Sequence, residues 1–469
     1  MTPKIIPSTK MPNRQIDFEN FREKYSRLVY QNYSYRIDKE LIRIDFEFVL
    51  EPDAGFNLKA IMFKPQLELP IPETKKDGNL NKEQLDNLVF HMGMVELISY
   101  WKAACPKEIL IKPFRLNQKQ IQFFKKLYWH GLGEFFYVNE IEIDFQNFVQ
   151  LSSESQKELS SFTTPTEEKI LIPIGGGKDS AVSLEILKKS ELGQYPFIIN
   201  ARKAQTDTIE QAAISGNHWF LAKRNIDAEL LKLNEQGFLN GHTPFSAMLA
   251  FTSLLQAYLA DIKYIALSNE SSANEASVAG THVNHQYSKS FAFESDFRAY
   301  YKKYITTDIE YFSFLRPVSE IQIAKLFSRF ENHHFSFRSC NAGSKTDSWC
   351  CNCPKCLFTY IMLAPFLPEK KLIEMLGENL LNKKSLEYTL KELCGLTDEK
   401  PFECVGTVEE VNLALFQAFE YQNYTISEAN QKNVVKSSQM VFDEAVNSWN
   451  EEHFVPEFLE KILRESMNL

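Results

Sequence analysis

From Lys169 to Lys189 the chain reads KILIPIGGGKDSAVSLEILKK: an apolar run, three consecutive glycines, then apolar residues at helical spacing. Few folds accept such a segment. The apolar run has the length of a buried strand, and the glycines break it sharply. A helix that starts at the break makes the first half of a strand–helix–strand unit. The rhythm repeats downstream. YPFIINA (195–201) precedes TDTIEQAAISG, and the apolar FSAMLAFTSLLQAYLA (Phe245 to Ala260) precedes IKYIALSNE (262–270). Short apolar strands alternating with helices predict a parallel sheet covered on both faces.

A run of glycines lets backbone N–H groups approach an anion without a Cβ in the way. The helix behind it adds the positive end of its dipole. Within GGGKDS, Lys178 can supply a point charge, Ser180 a hydroxyl, and Asp179 a helix cap or a cation ligand. The pattern is neither GxxxxGK[ST] nor G-x-G-x-x-G. A phosphate cradle and a capped strand–helix turn both satisfy it. After the second strand, NARKAQTDT offers Arg202 and Lys203 to anionic groups, or simply a charged solvent face.

With 469 residues the chain exceeds one ordinary domain. Residues 1–160 predict a mixed β/α domain. LIRIDFEFVL alternates strictly, with Ile42, Ile44, Phe46 and Phe48 on one face of a half-buried strand. LKAIMFKP suits a partner strand, LDNLVFHMGMVELISYWKAA a helix, and EFFYVNEIEIDF a further strand. The polar, Ser/Thr-rich stretch 151–169 reads as a linker. Residues 161–365 then hold the parallel-sheet domain, and 366–469 read as an amphipathic helical region.

A net charge of −9 argues against non-specific nucleic-acid binding, which needs a basic footprint. Phe245 to Ala260 is too short and too polar to span a bilayer. The first residues, MTPKIIPSTKMPNRQIDFEN, carry no apolar secretory core, so a cytoplasmic protein is expected.

Five of the eight cysteines fall between Cys340 and Cys356. Cys350, Cys353 and Cys356 follow one another at two-residue gaps, and Cys340 precedes them. Four thiolates can close a tetrahedral zinc site, which would leave no open position and be structural. An iron–sulfur cluster and free buried thiols are the other options. The ferredoxin run needs a fourth cysteine where this chain has Tyr360. Between these motifs lies a polar stretch holding Asn269, Glu270, Asn274, Glu275, His282, Asn284, His285, Lys289, Glu294 and Arg298. It follows a predicted parallel strand, where α/β sheets bind ligands. A long solvated loop has the same composition.

GGGKDS after an apolar strand resembles the SGGxDS loop of the PP-loop ATP pyrophosphatase superfamily, with glycine at Gly175 where that pattern has serine. FLRPVSEIQIAKLF (Phe314 to Phe327) resembles its late Pro-containing segment. The likeness covers about residues 169–365 and implies that Gly175, Gly176, Gly177, Lys178, Asp179 and Ser180 hold the pyrophosphate of ATP. The cysteine run is similar to the zinc site of 7-cyano-7-deazaguanine synthases. Taken together, GGGKDS, LSNESSANE, VNHQYSKS and the cysteines resemble UDP-N-acetylmuramoyl-L-alanyl-L-glutamate epimerases. This implies ATP- and Mg²⁺-dependent inversion of a terminal L-Glu through an acyl-adenylate, on a UDP-muramoyl dipeptide.

For that reaction the glycine loop and Asp179 are the candidates for ATP and Mg²⁺, and His285 and Lys289 the candidate acid/base pair, with His242 in reserve. Arg202 and Arg298 are placed at substrate carboxylate or phosphates. A deazaguanine-type ligase and a non-catalytic nucleotide-binding regulator are the competing expectations. No oligomeric state follows from the sequence.

Overall fold

The computed structural model describes residues 13–38, 40–75, 80–214, 219–274, 284, 287–343 and 345–468. The chain divides into two compact units, each built from separated segments. Unit 1 comprises Met1–Phe162, Lys223–Leu255 and Ala299–Thr306, and unit 2 comprises Thr163–Ala222, Gln256–Arg298 and Thr307–Leu469.

Unit 1 is organised on two long antiparallel strands, β1 (Tyr25–Ile37) and β2 (Leu41–Pro52), in a register that sets Tyr30 opposite Phe48. The alternation read in the sequence is the burial pattern: Ile42, Ile44, Phe46 and Phe48 are all buried. β3 (Ile61–Phe63) and β4 (Gln66–Pro70) pair antiparallel with β2. β5 (Glu108–Ile111) and β6 (Gln150–Ser153) add parallel to β1 and to each other. The expected linker 151–169 therefore carries the end of one strand and the start of the next.

One element differs from expectation. EFFYVNEIEIDF is not a strand: Gly133–Val138 is helical and the residues after it form turns. The Asp144 carboxylate accepts from the backbone N–H groups of Gln146 and Asn147, which ends any ladder there. Phe136 and Phe145 instead pack on Trp129, with ring centroids 5.6 and 5.8 Å away. Burial of aromatic rings overrides the β propensity of the segment.

Unit 2 holds the predicted parallel sheet. Its strands are β7 (Glu167–Pro173), β8 (Gly193–Ile199), β9 (Phe220–Asn225), β10 (Ile262–Leu267) and β11 (Glu310–Ser313). The spatial order is β11-β10-β7-β8-β9, with every neighbouring pair parallel. The last residues of β9, Lys223–Asn225, belong to unit 1, where they pair antiparallel with β4. The chain runs outward from β7 through β8 to β9, then returns to the other side of β7. This reversal opens a crevice between the carboxyl ends of β7 and β10, where α/β sheets place their ligands.

The C-terminal helices belong to the same unit. Leu372, Leu390, Leu415, Phe442 and Leu459 share one apolar core with Ile172, Val182 and Phe312 of the sheet and its first helix. Among the described residues no helix is long and apolar enough to cross a membrane.

Candidate functional site

The glycine turn lies at the carboxyl end of β7. Gly176 has φ +80°, and a Cβ there would come within 3.1 Å of the Ala204 and Gln205 backbone. Glycine is the residue that this bend accepts. Gly177 is the N-cap of helix Lys178–Leu187, with extended backbone. A Cβ on Gly175 would meet nothing within 4 Å. The Ser180 hydroxyl stays inside the turn: it accepts from Gly176 N–H at 3.2 Å and donates to Gly177 O at 3.0 Å. Open space over Gly175 and the first N–H groups of the helix are what an anion cradle requires. Arg202, exposed, precedes helix Lys203–Gln211 after β8, and its backbone N–H donates to the Gln205 side chain at 2.8 Å.

Beside the turn, three acids from three neighbouring strand ends meet. Asp179 follows β7, Glu270 follows β10 and Glu320 follows β11, and their carboxylate oxygens all lie within 4.8 Å of one another. Lys178 is buried and directed at this cluster, bonded to Asp179 and Glu320. Burial alone would lower the Lys178 pKa, but the two carboxylates outweigh it and raise it. Burial pushes Glu320 well up, and Asp179 and Glu270 add to that against the pull of Lys178. Glu270 is raised by burial too, with Lys289 as the main opposing charge. Two buried acids that resist ionisation beside a third are a strong site for a proton or a cation. Hard carboxylate oxygens at this spacing suit Mg²⁺.

Arg316, fully buried, fixes the frame of this crevice. Its guanidinium donates to the backbone carbonyls of Glu270 and Lys289 and pairs with buried Glu294 at 3.2 Å. Glu294 in turn accepts from Ser313 N–H at 2.8 Å. Lys289 Nζ lies 3.1 Å from Cys404 Sγ.

The cysteines form the second feature of unit 2. Sγ separations are 3.8 Å for Cys340–Cys353, 3.8 Å for Cys350–Cys356 and 3.5 Å for Cys353–Cys356. A tetrahedral zinc with Zn–S bonds of about 2.3 Å needs sulfurs about 3.8 Å apart. Backbone N–H groups already point at two of them, Gly343 and Cys350 at Cys340 (3.1 and 3.4 Å) and Asn352 at Cys350 (3.4 Å). These are donors that stabilise thiolate ligands, so the four can hold a zinc ion. Cys351 turns away and bonds to Leu376 O at 2.9 Å. The segment entering this cluster braces the glycine turn: Arg338 N–H donates to Gly176 O at 2.8 Å. Ser339 Oγ lies 3.2 Å from where a Gly177 Cβ would be.

Of the other residues singled out in the sequence, Arg298 is bonded to Tyr311 O and Glu310 and lies over the Phe454 ring, 4.4 Å from its centroid. His242, in unit 1, faces Glu134 at 3.4 Å. His285, with Glu275 and His282, lies outside the described residues. Glu320, Arg316 and Cys404 were not singled out. Glu320 did carry a signal: Ser319 and Gln322 form a capping box that starts a helix just after β11, so Glu320 takes the same strand-end position as Asp179.

A parallel sheet with a glycine turn, a carboxylate cluster at its switch point and four cysteines placed to hold a metal ion defines an α/β protein of the kind that binds ligands at its strand ends. The chain belongs to the MurL family: the MurL N-terminal domain matches residues 20–314 and the MurL C-terminal domain residues 332–452. Three relatives carry the name UDP-N-acetyl-alpha-D-muramoyl-L-alanyl-L-glutamate epimerase. That of Xanthomonas oryzae pv. oryzae is 32% identical over 72% of this chain and 76% of its own. That of a Micromonospora species is 31% identical over 81% and 85%, and that of Salinispora tropica 30% identical over 86% of each chain.

Proposed function

We propose that this chain inverts the terminal L-Glu of UDP-N-acetylmuramoyl-L-Ala-L-Glu to D-Glu, with ATP consumed to AMP and pyrophosphate. The observation that carries it is the acid cluster of Asp179, Glu270 and Glu320 beside the glycine turn, in a chain of a family whose relatives are named for that reaction.

The chemistry explains the pairing of an ATP site with an epimerase. Removing a proton next to a free carboxylate puts a second negative charge on one group. Joining that carboxylate to AMP removes the first charge and gives the carbanion an electron sink. The sheet order and the turn support the PP-loop resemblance: Gly175 and Gly177 would present N–H groups to the pyrophosphate, while Gly176 N–H is taken by Ser180 Oγ and its φ of +80° makes the bend. Lys178 steadies the acids rather than reaching into the cradle. Asp179, Glu270 and Glu320 would hold Mg²⁺, which supplies charge neutralisation at the phosphates. Arg202 is exposed at the same strand-end side and suits an anionic substrate group. After inversion, water hydrolyses the acyl-adenylate to AMP and the epimer, so water must be kept out until then.

The test is direct. Purified protein given the L-Glu dipeptide nucleotide, ATP and Mg²⁺ should yield AMP, pyrophosphate and the D-Glu epimer in equal amounts. Epimerisation without ATP, or AMP formed only with another carboxylate, overturns it. A smaller effect is expected at Gly175. Nothing lies within 4 Å of a Cβ there, so Gly175→Ser should fold as the parent does. Its hydroxyl adds one donor to the cradle, worth about 1 kcal/mol, so KM for ATP should fall roughly fivefold. An unchanged KM places the pyrophosphate away from this position.

A further inference from the structure

The crevice of unit 2 holds a proton-carrying pair that phosphate and cation chemistry leave unused. Lys289 Nζ donates to Cys404 Sγ at 3.1 Å. Two separate elements hold it in place. Lys289 ends the turn Tyr287–Lys289, and Arg316 fixes its carbonyl. Cys404 lies just before helix Val408–Glu420. In that helix the Glu410 carboxylate accepts from Glu320 N–H at 2.6 Å and from Thr407 N–H at 2.8 Å. The segment with Cys404 is thus tied to the acid that closes the cluster.

Burial would lower the Lys289 pKa, but Cys404, Glu270 and Asp179 together raise it. A lysine held as ammonium accepts no proton. The sulfur beside it can. Of the remaining thiols, Cys105, Cys351 and Cys394 are buried away from this pair, and the other four lie in the four-cysteine group.

We propose that Cys404 is the proton carrier for one face of the substrate α-carbon, kept as a thiolate by Lys289. This rests on the epimerase reading above. The thiolate takes the α-proton of the adenylated glutamyl group: the C–H bond breaks, an S–H bond forms, and the electron pair moves into the carbonyl as an enolate. The Lys289 ammonium faces the negative charge. A proton delivered to the opposite face makes the new C–H bond, and the sulfur proton exchanges with solvent. No oxidant or reductant takes part. A hydrogen-bonded pair occupies one side only, so the opposite face needs a separate donor.

Two readouts test it. In the full zinc-loaded chain at neutral pH, iodoacetamide should alkylate half-buried Cys404 at least tenfold faster than in Lys289→Met, followed by peptide mass spectrometry. Equal rates overturn the ion pair, whatever reaction the protein performs. The second uses Cys404→Ala with ATP in deuterated water, starting from the L-Glu and then the D-Glu epimer. The ratio of α-deuterium incorporation to AMP release should fall at least a hundredfold for one epimer and hold for the other. A ratio unchanged for both, or AMP release lost with both, overturns the proposal. If the parent protein itself releases no AMP, the epimerase reading fails, and the alkylation result still decides the Lys289–Cys404 pair.

Discussion

Asp179→Ala is expected to lower AMP release by about 10³-fold or more while the protein stays folded. Asp179 is the only member of the acid cluster that follows the glycine turn directly, and its side chain is 33% exposed. In the proposed reaction it would reach phosphate and its cation, and its removal would take charge from the place where the transition state is stabilised. Losing one such group costs on the order of 10²–10³ in rate, and loss of a shared cation ligand adds to that. The stability effect is small for the same reason. An exposed carboxylate contributes about 0–1 kcal/mol, and Lys178 keeps Glu320 as its partner. Lys178→Ala is the opposite case. Lys178 and Glu320 are 4% and 6% exposed, so removing the ammonium leaves buried acids unpaired, at a cost of about 3–5 kcal/mol. AMP assays and thermal unfolding of both variants separate the two roles. Unchanged AMP release in Asp179→Ala removes the glycine turn from the mechanism.

Loss of the cysteine metal should have the largest structural effect. Metal analysis is expected to find about one zinc per chain, and Cys356→Ser to lose it. Structural zinc is worth about 10–16 kcal/mol of folding free energy in small zinc domains, so a fall in Tm of about 10 °C or more is expected. Nucleotide binding should go with it, because Arg338 and Ser339, next to Cys340, brace Gly176 and Gly177. Cys351→Ser is the control. Its thiol bonds to Leu376 O and not to the cluster, so zinc content should stay at that of the parent. Parent protein without metal, or Cys356→Ser with unchanged Tm, would falsify the zinc assignment.

The parallel strands, the strand–turn–helix at Gly175–Gly177 and the four-cysteine spacing were legible because each is local. Alternation in LIRIDFEFVL gives a buried face whatever lies above it, and three glycines before a helix bend wherever they occur. EFFYVNEIEIDF misled for the complementary reason. Its Ile141, Ile143 and Phe145 alternate like a strand, but Phe136 and Phe145 pack on Trp129, a partner that spacing along the segment does not reveal. Glu270 stood out in a polar stretch. Glu320 lay within FLRPVSEIQIAKLF without being singled out, and Cys404 lay outside the cysteine run.

What the sequence determined by itself was the βα rhythm, the glycine turn and the cysteine spacing, since side chains a few residues apart are fixed by backbone geometry. Only the tertiary structure decided that β10 lies against β7. Strand partners are set by hydrogen-bond pairing across the sheet and not by periodicity within a strand. That single pairing brings Glu270 to Asp179, and the neighbouring β11 brings Glu320. It also turns Lys178 from an apparent phosphate ligand into the counter-charge of the acids. The helical end of the chain, by packing on the same core, places Cys404 beside Lys289.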